Sequence, residues 1–235
     1  MYHNELSTWE KLTTTTTLTR SQSAVIRQTY MLLGVSVFAA MAGGYIGATS
    51  ETLVRFFSST IGWVVAIVLL NVVPYIAMAA RHNPVLGVSA LVFDGFLAGI
   101  AISPLLFVAS LMAPAMIVVA FMITGLVFLA ITGYVFMSGR TFAAPRGLMI
   151  GMFVAITGAV VLNSFLNIGW LGILASAGIG IFGCVALVYS TSGVLNSPDA
   201  DSPIPGALAL FSGLFNVFVA MLNILLRLMG GGRRD

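Results

Sequence analysis

Residues 203–232 read PIPGALALFSGLFNVFVAMLNILLRLMGGG, and the polar members of this run are not scattered. At about 100° per residue, Ser212, Asn216, Asn223 and Arg227 fall within roughly 60° of one another on a helix, while Leu, Phe, Val and Met cover the rest. Lipid cannot hydrogen-bond two carboxamides and a guanidinium, so a spanning helix with such a stripe is stable only if the stripe faces other helices or water. The stretch therefore predicts a last helix in the middle of a bundle, with Ser212, Asn216 and Asn223 shielded from lipid. Two uses of the stripe stay open: amides that join helices, or the wall of a solute path.

Composition sets the solvent. With 59% hydrophobic and 7% charged residues and a mean hydropathy of +1.07, a 235-residue chain has too little polar surface to enclose a soluble core. The expectation is an all-α integral membrane protein in contact with the lipid bilayer. A formal charge of +3 and a pI near 9.4 come from only ten Lys and Arg spread over the ends of spans, so there is no basic patch for nucleic acid. The one cysteine, Cys184, excludes an internal disulfide, and His3 and His82 make no metal cluster with it. No HExxH, GxSxG, intramembrane aspartate pair or nucleotide-holding glycine loop is present, so neither catalytic residues nor a cofactor are expected.

Residues 1–28 read as a polar cytoplasmic tail with the threonine run Thr13 to Thr17 and without the apolar core of a signal peptide. Apolar segments near 29–49, 60–80, 85–108, 114–137, 147–167, 170–192 and 205–229 are each long enough to cross about 30 Å of hydrocarbon. The expected domain is thus a seven-transmembrane-helix bundle over 29–229, closed by a short polar tail at 230–235. With the amino terminus in the cytoplasm, Lys11, Arg20, Arg27, Arg81, Arg140 and Arg146 lie inside and the outer connections hold only Arg55. Seven crossings, the expectation here, place Arg227, Arg233 and Arg234 outside, against that trend, so either the early charges dominate or the last segment folds back without crossing. Trp63 and Trp170 begin spans on the outer side, as interfacial rings do.

Small residues recur every fourth position: Gly147, Gly151, Ala155 and Ala159 in span five, Gly172, Ser176, Gly180 and Cys184 in span six, and Ala40, Gly44 and Ala48 in span one. Such stripes permit close backbone approach and predict tight packing. Pro74 is expected to kink span two, with the Asn71 amide answering a freed backbone carbonyl. Asp94 lies ten residues into span three, about 15 Å deep at 1.5 Å per residue. A carboxylate there must be protonated, paired or wet, so it is both a functional candidate and a candidate interhelix hydrogen bond. Asn163 and Asn167 read as helix-joining amides.

The order of these pieces resembles a family. Arg27-x-Thr29-Tyr30 before span one, Phe93-x-Gly95-Phe96 with Pro104 in span three, Asn163-x-Phe165-Leu166 in span five, Tyr189-Ser190-Thr191 ending span six and Asn216-x-Phe218 in span seven are similar to the Bax inhibitor-1 family, its bacterial YccA branch above all. The resemblance runs from about residue 20 to 229 and implies a bundle with the last span central. For members studied as channels it implies a pH-sensitive calcium leak governed by two acids. In this chain those positions fall on Ser190 and Gly213, which do not ionise near neutrality, so the acid-pair gate does not carry over. For the YccA branch it implies a modulator associated with a membrane-anchored ATP-dependent (AAA, FtsH-like) protease of the bacterial inner membrane. Two functions follow: a non-enzymatic modulator gripped through its tail, or a cation or proton path using Asp94 with Ser190, Asn216 and Asn223 as further candidates.

Overall fold

Short polar caps punctuate a series of apolar helices. The computed structural model describes residues 20–143, 145–166, 168–196 and 202–231. In chain order the helices are α1 (Arg20–Thr49), α2 (Glu51–Ser58), α3 (Thr60–Ala79), α4 (Pro84–Ala101), α5 (Ser103–Met112), α6 (Pro114–Ser138), α7 (Arg146–Leu166), α8 (Gly169–Asn196) and α9 (Ile204–Gly231), with no strand among the described residues. Tail residues 1–19 with the run Thr13 to Thr17, Asn167, the acidic connection of Asp199 and Asp201, and Arg233 and Arg234 lie outside the described residues.

Caps explain the boundaries. Leu53 N–H donates to Ser50 Oγ at 3.5 Å to open α2, and Gly62 N–H donates to Ser59 Oγ at 3.1 Å to open α3. At α4, Asn83 Oδ1 accepts from the N–H groups of Val85 and Leu86, both at 3.2 Å, ahead of Pro84 in the first turn. Gly139, at φ 58°, ends α6 in the left-handed region that costs other residues strain.

Three boundaries differ from the sequence expectation. The run 85–108 is not one span: α4 stops at Ala101, and α5 restarts with Pro104 in its first turn, where a missing N–H is harmless. Ser50–Ser59, expected as a plain connection, holds α2, with Leu53, Phe56 and Phe57 on one face and Glu51 paired to Arg55 on the other. The first helix begins at Arg20, nine residues before the expected start of its apolar run, because extending an existing helix costs far less than nucleating one. Among the described residues six helices are long and apolar enough to cross a membrane: α3, α4, α6, α8, and the Gln22–Thr49 and Ile204–Met229 parts of α1 and α9. The expected seventh corresponds to α7, in which Gly147–Asn163 forms a shorter apolar helix.

Contacts sort the connections to two ends. At one, Thr29 Oγ1 donates to the Pro203 carbonyl at 3.3 Å, Asn196 Nδ2 donates to the Arg140 carbonyl at 2.8 Å, and Gly87 sits against Ile204 and Ala80. At the other, α2 packs on α1, α3 and α5, and the Arg227 guanidinium covers Gly172. The last helix is central: α9 touches α1, α3, α4, α5, α6 and α8. Against α8 it runs antiparallel, with Gly206 on Val194, Gly213 on Leu187, Val217 on Gly183 and Ala220 on Gly180.

Candidate functional site

The buried side of α4 carries Leu91, Asp94, Gly95, Ala98 and Gly99. Glycine sets its distance from α1: a Cβ on Gly95 would come within 2.6 Å of the Ser36 carbonyl, and one on Gly99 would strike Ala40 and Gly44. Asp94 is held there at 5% exposure, with no ion pair or hydrogen bond among the described residues. Its neighbours on the same face are apolar. Leu91 belongs to a buried apolar cluster with Ala77, Ile204, Ala207 and Leu208, and Ala98 to a second that includes Leu33, Leu187 and Leu210. A carboxyl in such a place is stable when it keeps its proton or meets a cation or water.

The stripe of α9 is placed differently from the expectation. Its most buried positions are apolar or small, including Ala207, Leu210, Val217, Ala220 and Leu222 at 0% exposure, whereas Ser212 is exposed and Asn216 and Asn223 are half-buried. The reason lies in the hydrogen bonding. Asn223 Nδ2 donates to the Val219 carbonyl of its own helix at 3.1 Å, so the amide needs no second helix and the core is left to groups that pack. Asn71 behaves alike, donating to Ile67 O at 2.7 Å rather than to the Leu70 carbonyl that Pro74 frees. Among the described residues no hydrogen bond joins Asp94 to the stripe, whose Asn223 bonds its own helix.

Ser190 and Gly213 are brought to one seam, but not as a site. Tyr189 and Ser190 are half-buried near the end of α8, and Gly213 is buried against Leu187. A Cβ on Gly213 would stand 2.9 Å from Leu187 Cγ and 3.2 Å from the Gly183 carbonyl, so an acid at this position would have to displace Leu187. Of the remaining motif residues, Arg27 is exposed and Pro104 opens α5. The Tyr30 ring lies 6.3 Å from Phe128 with its buried hydroxyl turned to Thr132. Asn163 keeps a buried Oδ1 without a partner among the described residues.

One polar arrangement went unread in the sequence. Phe142 N–H donates to Ser192 Oγ at 2.7 Å, and Asn196 Nδ2 bonds Arg140 O and, at 3.4 Å, Ser192 Oγ, which fastens the α6–α7 loop to the end of α8. The i, i+4 spacing of Ser192 and Asn196 was the available signal. Among the described residues no group of three His, Cys, Asp or Glu could hold a metal ion.

The sequence that builds this bundle has relatives. A family model described as inhibitor of apoptosis-promoting Bax1 matches residues 22–231. The chain belongs to the Bax inhibitor-1 family. Among its relatives, an uncharacterised protein of Neisseria meningitidis serogroup A is 32% identical over 220 residues, covering 90% of this chain and 94% of the relative. An uncharacterised Campylobacter jejuni protein is 29% identical over 208 residues, covering 86% and 88%. An Escherichia coli K12 protein, named modulator of FtsH protease YccA, is 27% identical over 207 residues, covering 87% and 90%. These Bax inhibitor-1 likenesses extend over nearly all the described helices.

Proposed function

We propose that this protein is a non-enzymatic modulator of a membrane-anchored, FtsH-like ATP-dependent protease, placed in the bacterial inner membrane with its amino terminus in the cytoplasm and α7 crossing as a seventh span. The observation that carries this reading is the likeness, over 87% of the chain, to a relative named as a modulator of FtsH protease. The placement of Arg27, Arg81 and Arg140 toward one end of the bundle supports the orientation. The polar composition of the segment before α1 suits it as a handle for a cytoplasmic partner. Co-purification with the protease, and degradation of a membrane substrate in proteoliposomes with and without the protein, test it. Binding and slowed degradation are expected, with binding weakened by removal of the tail. An unchanged degradation rate with no co-purification overturns the reading.

A second reading rests on Asp94, buried in a helix apolar enough to span a membrane and without an ion pair or hydrogen bond among the described residues. It makes the protein a calcium or proton path that lacks the acid-pair gate, because Ser190 and Gly213 have no proton to exchange. Calcium flux in liposomes between about pH 8 and about pH 6 tests it. Flux without a steep pH change, abolished by Asp94→Asn, supports it; silence removes it.

A further inference from the structure

Between α1 and α6 the bundle is not closed. A cavity of about 360 Å³ opens there, with Val37, Met41, Tyr45 and Thr49 of α1 on one side and Ile117, Phe121 and Thr124 of α6 on the other. Its floor is the α9 face of Phe211, Leu214, Phe215 and Phe218, where the Phe211 and Phe215 rings stack with centroids 5.9 Å apart. Met41, Tyr45 and Phe121 at its rim are exposed on the outer surface of the bundle. From Val37 to Thr49 the lining spans twelve residue steps of α1, about 18 Å at 1.5 Å each, so the cavity follows the helix axes from mid-bundle to the end that carries α2.

Apart from Tyr45, exposed at the rim, its hydroxyl groups make little demand on an occupant. Thr124 Oγ1 donates to Ala120 O at 2.8 Å, Ser110 Oγ to Phe107 O at 2.7 Å, and Thr49 Oγ1 to Tyr45 O at 2.8 Å, so each of these hydroxyl protons is already spent on its own helix. A water chain or an ion would find almost nothing to bind. Volume decides between the apolar occupants. Apolar cavities near 150 Å³ already hold a benzene-sized molecule, so about 360 Å³ drawn out along the helices suits a slender apolar guest. An alkyl chain aligned with the helices fits, and a surface bathed in lipid offers one at high concentration.

We propose that this groove holds one acyl chain of a membrane phospholipid, inserted between α1 and α6 and lying on the phenylalanine face of α9. The polar end of the lipid then sits near Thr49 and α2, whose Leu53, Phe56 and Phe57 face suits the membrane boundary. The inference is independent of the protease reading, because it needs no protein partner.

The test uses the full chain in vesicles containing a phosphatidylethanolamine with a photoactivatable diazirine midway along one acyl chain. Peptide mapping after irradiation is expected to show excess labelling on groove residues such as Met41, Phe121 and Phe218 over outward residues such as Phe38, Ile76 and Leu129. Ala48→Phe, which fills the groove from α1, should abolish that excess, while Ala42→Phe on the outer face of α1 should leave it intact. Ile117→Trp fills it from α6 and repeats the test should Ala48→Phe fail to fold. Labelling spread evenly over all outward apolar residues, an excess unchanged by either filling variant, or photocross-links from the groove to a second copy or another protein would overturn the proposal.

Discussion

In α8, a Cβ on Gly180 would stand 3.2 Å from Ala220, one on Gly183 would meet the Gly213 carbonyl at 2.8 Å, and one on Gly172 would strike Arg227. In α7, a Cβ on Gly147, Gly151 or Gly158 would meet nothing within 4 Å. Both helices carry small residues at four-residue spacing, and both were expected to pack tightly. The difference is the neighbour. α8 lies along the whole length of α9, whereas α7 touches α8 alone among the helix pairs in close contact, through Ile156 against Gly178 and Phe153 against Phe182. Small residues permit close approach; they do not supply the surface that approaches.

This comparison can be broken by filling each stripe in turn. Gly183→Leu should have the largest effect on the α8–α9 seam, since Gly213 O at 2.8 Å and Val217 N at 3.0 Å are backbone and cannot rotate aside. A loss of about 3 kcal/mol or more is expected, at the top of the range for overpacked cores, read as a fall in the thermal midpoint of size-exclusion recovery in detergent. A midpoint equal to the parent's would mean that α8 and α9 part more easily than their packing implies. Gly95→Leu presses on the Ser36 backbone between α4 and α1, its carbonyl oxygen at 2.6 Å, and should cost a similar amount, about 3 kcal/mol, in the same assay.

Removing the polar fastening at the end of α8 should cost less. Asn196→Ala takes one hydrogen bond from the Arg140 carbonyl, worth about 1 kcal/mol, and should speed proteolysis in the Gly139–Pro145 loop. An uncut loop would show that Ser192 alone holds it. The smallest effect belongs to Gly151→Leu on the open stripe of α7. There the gain in helix propensity, up to about 1 kcal/mol, meets no steric opposition, so the midpoint should hold or rise slightly. A drop as large as that of Gly183→Leu would reveal a partner on that face, and the contrast between the stripes would vanish.

Much of the fold could be read without coordinates. Runs of apolar residues long enough for a bilayer define the helices, whereas the caps at Ser59 and Asn83 and the left-handed turn at Gly139 emerged from the structure. The motif order from Arg27 to Asn216 carried the family resemblance that the match over residues 22–231 establishes. The break at Ile102 was signalled by Pro104 but overridden by the unbroken hydropathy around it. The amphipathic α2 was hidden because eight residues are too few for an apolar segment to stand out.

The composition and periodicity of this chain determined that it is helical, apolar and built to lie in lipid, because those properties belong to each segment by itself. Tertiary structure decided which faces are used. The polar stripe of α9 was expected inside, but Asn223 bonds its own Val219 carbonyl and Ser212 faces out, since a side chain satisfied within its helix exerts no pull toward another. Asp94 was legible as an unusual residue, yet its isolation follows from α1, α4 and α9 meeting around it through Gly95, Leu91 and Ala98. The groove beside Phe211 and Phe215 was invisible to any one segment, because an empty space belongs to no residue and exists only where α1, α6 and α9 fail to close.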